Sequence, residues 1–94
     1  MRVIEKEMLN AIMYAKDWQK DNTQVLVFGL ERRAKVYLHG NFIGAWDYDN
    51  DSFIPDRDTL AEWPTPTTKS RLRALGVDVC TKRGVTYLYG EAIN

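Results

Sequence analysis

The sequence predicts an α+β domain. An antiparallel sheet of about five strands, a three-stranded meander plus a C-terminal hairpin, packs with an N-terminal helix and one or two short helices. Three observations carry this. Apolar residues near the start recur at spacings of three and four, the period of one helix face. Short β-branched and aromatic runs separated by turn residues occupy 25–54 and return at 77–89, as strands and hairpins require. Between them, a Pro/Thr-rich connector leads into a basic segment closed by glycine, the punctuation of short helices.

Each element follows in order. Ile4, Met8, Ile12, Ala15 and Trp18, with Leu9 and Ala11 beside them, place one helix face inward, and Asp21-Asn22-Thr23 stops it. Val25–Phe28, Lys35–Leu38 and Phe42–Trp46 read as strands, and Phe53-Ile54 as a further strand or its stub; 25–54 is thus a three-stranded meander turned by His39-Gly40-Asn41. Asp58–Trp63 gives one or two helical turns ended by Pro64. Thr68–Leu75 is a short helix with Thr67 as N-cap and Gly76 just past its end. Val77–Thr81 and Val85–Tyr89 form a hairpin around Lys82-Arg83-Gly84. The expected core is Ile4, Met8, Ile12, Val25, Val27, Val36, Leu38, Ile43, Leu72, Leu75, Val79, Val85 and Tyr87.

Ninety-four residues without linker or repeat fit a single domain, 1–94. A 45% hydrophobic and 28% charged composition excludes a disordered tail. No apolar run approaches the roughly 20 residues of a membrane span. The opening Met1–Glu7 runs into charge with no apolar stretch, so no signal peptide is expected. One cysteine, Cys80, and one histidine, His39, leave little for a disulfide, a metal site or triad chemistry. No phosphate loop, dinucleotide fingerprint or nucleophile elbow occurs. No enzyme, cofactor or metal is therefore expected.

Thirteen basic and thirteen acidic residues cancel, but unevenly. Residues 47–62 carry six acids against Arg57, and 63–94 carry Lys69, Arg71, Arg73, Lys82 and Arg83 against Asp78 and Glu91. Zero net charge weakens strong non-specific nucleic-acid binding without excluding a local basic face.

The candidate site is the start of the second short helix. Thr67, Thr68, Lys69, Ser70 and Arg71 bring hydroxyls, cations and free backbone N–H groups to one helix start, which resembles an anion site. Cations in a first turn oppose the helix dipole, so Lys69 and Arg71 ask for a reason; the alternative is a capped helix with a solvated basic face. On the anion reading, Lys69→Ala and Arg71→Ala leave stability unchanged or raise it slightly. Residues 58–90 also have the order of a helix-turn-helix with a wing, in which the 68–75 helix would enter a major groove while Lys82 and Arg83 touch phosphate. Pro64–Thr67 is an unusual turn for that motif. Asp47-x-Asp49-x-Asp51 resembles the opening of a calcium loop but lacks its glycine and bidentate glutamate, so an acidic hairpin turn is the better reading. His39 reads as a locally bonded turn residue and Cys80 as strand packing. Trp18, Trp46 and Trp63 read as core and lid rather than as base-stacking platforms.

Two stretches carry a family resemblance. Val36–Gly44, and Trp63–Gly76 some twenty residues later, resemble small, largely uncharacterised tailed-bacteriophage proteins, and Ile4–Leu9 is similar to their marine short-tailed-phage members. The resemblance covers about two-thirds of the chain. It implies a phage origin and expression in the cytoplasm of the infected bacterial host, and it carries over no activity and no catalytic residues. Gly44 stands where alanine is expected, a departure with no functional reading.

Small phage proteins of this size commonly act by binding. One expected function is a nucleic-acid-binding accessory protein using Thr67, Thr68, Lys69, Ser70, Arg71, Arg73, Lys82 and Arg83. The alternatives are an inhibitor of a host protein, such as a defence or replication enzyme, acting through a sheet edge or aromatic patch, and sequestration of a nucleotide signal at the same helix start. Clustering of the basic side chains on one face favours the first; an exposed apolar patch favours the second.

Overall fold

The computed structural model describes all of residues 1–94. The elements run α1 (Val3–Met13), β1 (Trp18–Lys20), β2 (Thr23–Phe28), a 3-10 turn (Gly29–Glu31), β3 (Arg33–Leu38), β4 (Asn41–Asp47), β5 (Ser52–Pro55), α2 (Arg57–Glu62), α3 (Pro66–Ala74), β6 (Val79–Lys82), β7 (Val85–Leu88) and β8 (Glu91–Ala92). The α+β class holds. The strands, however, form two sheets, an antiparallel meander β1-β2-β3-β4-β5 and a separate β6-β7-β8. The meander already has five strands, so the C-terminal hairpin does not extend it.

The first helix ends earlier than its apolar period suggests. Ala15 adopts left-handed backbone, φ 52, and its N–H and that of Lys16 return to the carbonyls of Ile12 and Ala11 at 3.1 and 2.9 Å. This is a Schellman stop, made with alanine where glycine is the usual signal. Trp18, which continues the spacing, instead opens β1 and still packs against the core.

One core joins α1, α2, α3 and both sheets. Met8, Val25, Val36, Leu60 and Leu72 are at most 1% exposed at its centre. Of the expected core, Ile4, Val27, Val85 and Tyr87 are only half-buried, while Ala34, Phe53, Leu60, Val77 and Leu88 join it. The error in the hairpin is one of parity. The turn is two residues, Arg83-Gly84, which pairs Lys82 with Val85 and Val79 with Leu88. Paired residues share a face, so with Val79 inside, Thr86 and Leu88 follow it and Val85 and Tyr87 cannot.

Gly44 has a structural reason. It sits in β4 at φ +147, and a Cβ there would collide with the Ile54 carbonyl oxygen and lie 2.5 Å from a Phe53 ring carbon. The alanine expected from the resemblance does not fit. Gly44→Ala is expected to lower stability by about 1–3 kcal/mol through overpacking, read as a lower urea midpoint; an unchanged midpoint would mean that β5 gives way freely.

Candidate functional site

The helix start that the sequence singles out is largely used up inside the protein. The N-cap of α3 is Thr65, not Thr67: its Oγ1 accepts the Thr68 N–H at 3.1 Å, and its carbonyl accepts the Lys69 N–H at 3.1 Å. Pro66 at the first position has no N–H to offer. That leaves the Thr67 N–H as the free donor of the turn, a poor cradle for an anion. The earlier start also moves the charges. Lys69 lies past the first turn, and Arg71 and Arg73 stand in the last turn, where cations favour the dipole. The conflict that made them conspicuous disappears.

Their side chains have internal partners. Arg71 is 3% exposed; its Nη1 donates to Glu5 Oε2 at 2.8 Å and its Nε to Thr23 Oγ1 at 3.1 Å. Ser70 Oγ donates to the same Glu5 oxygen at 2.6 Å. Lys69 is buried and its ammonium rests on the Thr81 hydroxyl, tying α3 to β6. Thr68 is buried, with its hydroxyl on Thr65 at 2.9 Å. Arg73 is exposed, although its Nε donates to the Val79 carbonyl at 2.9 Å. Thr68, Lys69 and Arg71 are therefore out of reach of an external phosphate. The outward side of α3, with Pro66, Thr67, Ser70 and Arg73, carries one cation, so the helix-turn-helix order is present without a basic recognition face.

Burial pushes the Glu5 carboxyl up, but hydrogen bonds from Ser70, Arg71 and the Arg2 N–H, together with the Arg71 charge, outweigh it, and the pKa falls below the usual carboxylate range. A folded pKa below the unfolded one adds stability that is present above the unfolded value and lost as pH falls through the folded value. The urea midpoint should therefore drop as pH falls below the ordinary carboxylate range, and less steeply in Glu5→Gln than in the native chain. Parallel curves would show that Glu5 is not coupled to folding.

The hairpin tip keeps its expected place. Arg83 and Gly84 form the turn at φ 52 and 79, and Lys82 and Arg83 are exposed, with Lys82 Nζ 5.8 Å from the Tyr87 ring centre. In the acidic turn, Asp47 accepts from the Asp49 N–H and from Asn50 Nδ2 at 3.0 and 2.7 Å, and Asp49 pairs with Arg32 at 2.9 Å. His39 is an exposed turn residue at φ 52, its N–H bonded to the Asn22 carbonyl at 2.8 Å. Cys80 is half-buried opposite Tyr87. Trp18 and Trp46 pack on the core, and Trp63 is exposed at the end of α2.

The feature that sequence reasoning missed is the outer face of the β1–β5 sheet. Pairing places Leu26, Lys35 and Ala45 side by side, then Ile54; it also sets Gln24, Tyr37 and Phe42 in one row and Phe28, Arg33 and Asp47 in another. All of them point away from the Val25, Ala34, Val36 and Phe53 face that meets the helices in the core. Phe28 and Ile54 are exposed, and Leu26, Tyr37 and Phe42 half-buried. Tyr37 and Phe42 meet edge to face at 5.7 Å, and Lys35 Nζ lies 4.3 Å over the Phe28 ring. Its charge is mixed, with Lys35 beside Glu31 at 3.6 Å and Arg33 opposite Asp47. The available signal was the unbroken run Val25–Phe28: a strand apolar on both sides, in a chain with too few helices to cover both.

No helix is long and apolar enough to cross a membrane. No curated protein and no solved structure matches the chain. The family model described as Kyanoviridae Gp96 protein matches residues 1–93. The chain therefore belongs to this cyanophage protein family and is made in the infected host.

Proposed function

We propose that this phage protein is a non-enzymatic accessory protein that binds a partner protein of the host through the outer face of the β1–β5 sheet. The observation that carries the reading is the apolar face made by Leu26, Phe28, Tyr37, Phe42 and Ile54 in three adjacent rows on the side away from the core. Apolar patches rimmed by polar groups mark interaction sites, and aromatic residues dominate the energetics of such contacts. The mixed charge of the face supports a protein over a polyanion, whose binding needs accumulated positive charge. Inhibition of a host defence or replication enzyme is the form of action this binding serves.

A second reading, nucleic acid, is favoured by one observation: Phe28 under Lys35 and the Tyr37–Phe42 pair offer rings on which single-stranded bases stack. Its phosphate contacts reduce to Arg73, Lys82 and Arg83, since Lys69 and Arg71 have internal partners. Sequestration of a nucleotide signal has the Thr67 N–H as its remaining support.

Capture from infected cells with the tagged full chain, with and without nuclease, tests the proposal. The same partner protein is expected in both. Recovery that disappears with nuclease, and binding to single-stranded oligonucleotides whose log–log salt slope is about −2, would establish the nucleic-acid reading instead.

A further inference from the structure

A cavity lies on the core side of β4, away from the outer face, and has its own chemistry. It measures about 390 Å³ and is walled by Leu9, Ile12 and Met13 of α1, by Trp46 and Tyr48, and by Asp51 at the β4–β5 turn. The Tyr48 hydroxyl donates to the Ile12 carbonyl at 2.5 Å, which fixes the ring as a wall. The cavity stands at the C-terminal end of α1, where the Ala15 and Lys16 N–H groups and the Tyr48 hydroxyl take up the last carbonyls, so its negative charge comes from Asp51. Lys16, just beyond, lines the separate groove of Glu7, Asn10 and Asp17. Asp51 makes no ion pair, whereas Asp49 of the same turn is held by Arg32.

We propose that this cavity binds a small hydrophobic amine, an aromatic or aliphatic body carrying an ammonium group. The body fills the slot between Leu9, Ile12 and Met13, and the ammonium reaches the Asp51 carboxylate beside the Trp46 and Tyr48 rings. Apolar walls with one carboxylate exclude anions and leave neutral ligands without an electrostatic anchor, while aromatic faces add attraction for a cation. The volume falls within the roughly 300–1,000 Å³ of small-ligand sites, which favours a free molecule over one inserted side chain. The site is independent of the sheet-face reading.

The test is a titration of the full-length protein with phenylethylammonium, followed by NMR at the Trp46 indole. Phenylacetate serves as the matched anion and acetyl-arginine amide as a mimic of a partner's side chain. Saturable binding of phenylethylammonium is expected, about fivefold or more tighter than phenylacetate. Asp51→Asn should abolish the preference without changing the melting temperature, since asparagine tolerates the left-handed backbone of this position, φ 53. Equal binding of phenylacetate, an unchanged preference in Asp51→Asn, or no saturable response would overturn the proposal. Tighter binding of acetyl-arginine amide would reassign the cavity to a partner's side chain.

Discussion

Arg71→Met is expected to destabilise the protein by about 3–5 kcal/mol, the usual cost of removing one partner of a buried ion pair. Glu5 and Arg71 are 3% exposed and joined at 2.8 Å, and the pair links α1 to α3 across a separation of 66 residues. Without the guanidinium, Glu5 keeps the Ser70 hydroxyl but loses its counter-charge, and Thr23 Oγ1 loses a donor. In a domain of this size such a loss is a large part of total stability, and the melting temperature should fall by more than about 10 °C. Adding Glu5→Gln to Arg71→Met should restore part of the loss, since no uncompensated charge then remains buried. The sign is opposite to the one the anion-site reading gives. An Arg71→Met protein as stable as the native chain would return the residue to a functional role.

Leu72→Ala is the second large effect, about 2–5 kcal/mol. Leu72 is fully buried at the junction of α3 with the core, and its carbonyl also accepts the Val77 N–H at 3.0 Å in the helix stop before β6. The backbone bond survives the substitution, so the loss measures packing alone. It should appear as a lower urea midpoint with an unchanged slope. A loss below about 1 kcal/mol would mean that α3 collapses onto the cavity or is loosely seated.

What the sequence made legible follows local signals. The helix period of Met8 and Ile12 and the glycine stop at Gly76 were readable because each depends on residues a few positions apart; Val77 N–H does return to the Leu72 carbonyl. The α1 end was hidden because Ala15 takes the conformation that glycine advertises. The hairpin parity was hidden because a three-residue loop and a two-residue turn leave the same letters, Lys82-Arg83-Gly84, but put opposite faces inside. At the site, the misreading of Arg71 was a one-partner problem. A cation close to a proline-bounded helix start is indistinguishable, in one dimension, from one whose acid lies at Glu5. The outer face was written in Leu26, Phe28, Tyr37 and Phe42, yet alternation alone cannot say which side of a sheet remains uncovered.

The central claim is that the outer sheet face, and not the basic groups, holds the partner. It is tested most directly by measuring the affinity of two double variants for the captured partner, Phe28→Ala/Ile54→Ala on the face and Lys82→Ala/Arg83→Ala at the hairpin tip. All four residues are exposed, so both variants should melt close to the native chain. The face variant is predicted to bind about 30-fold more weakly, the loss of a hot spot worth about 2 kcal/mol, while the tip variant binds as the native protein does. Loss of binding in the tip variant with the face variant unaffected would contradict the account.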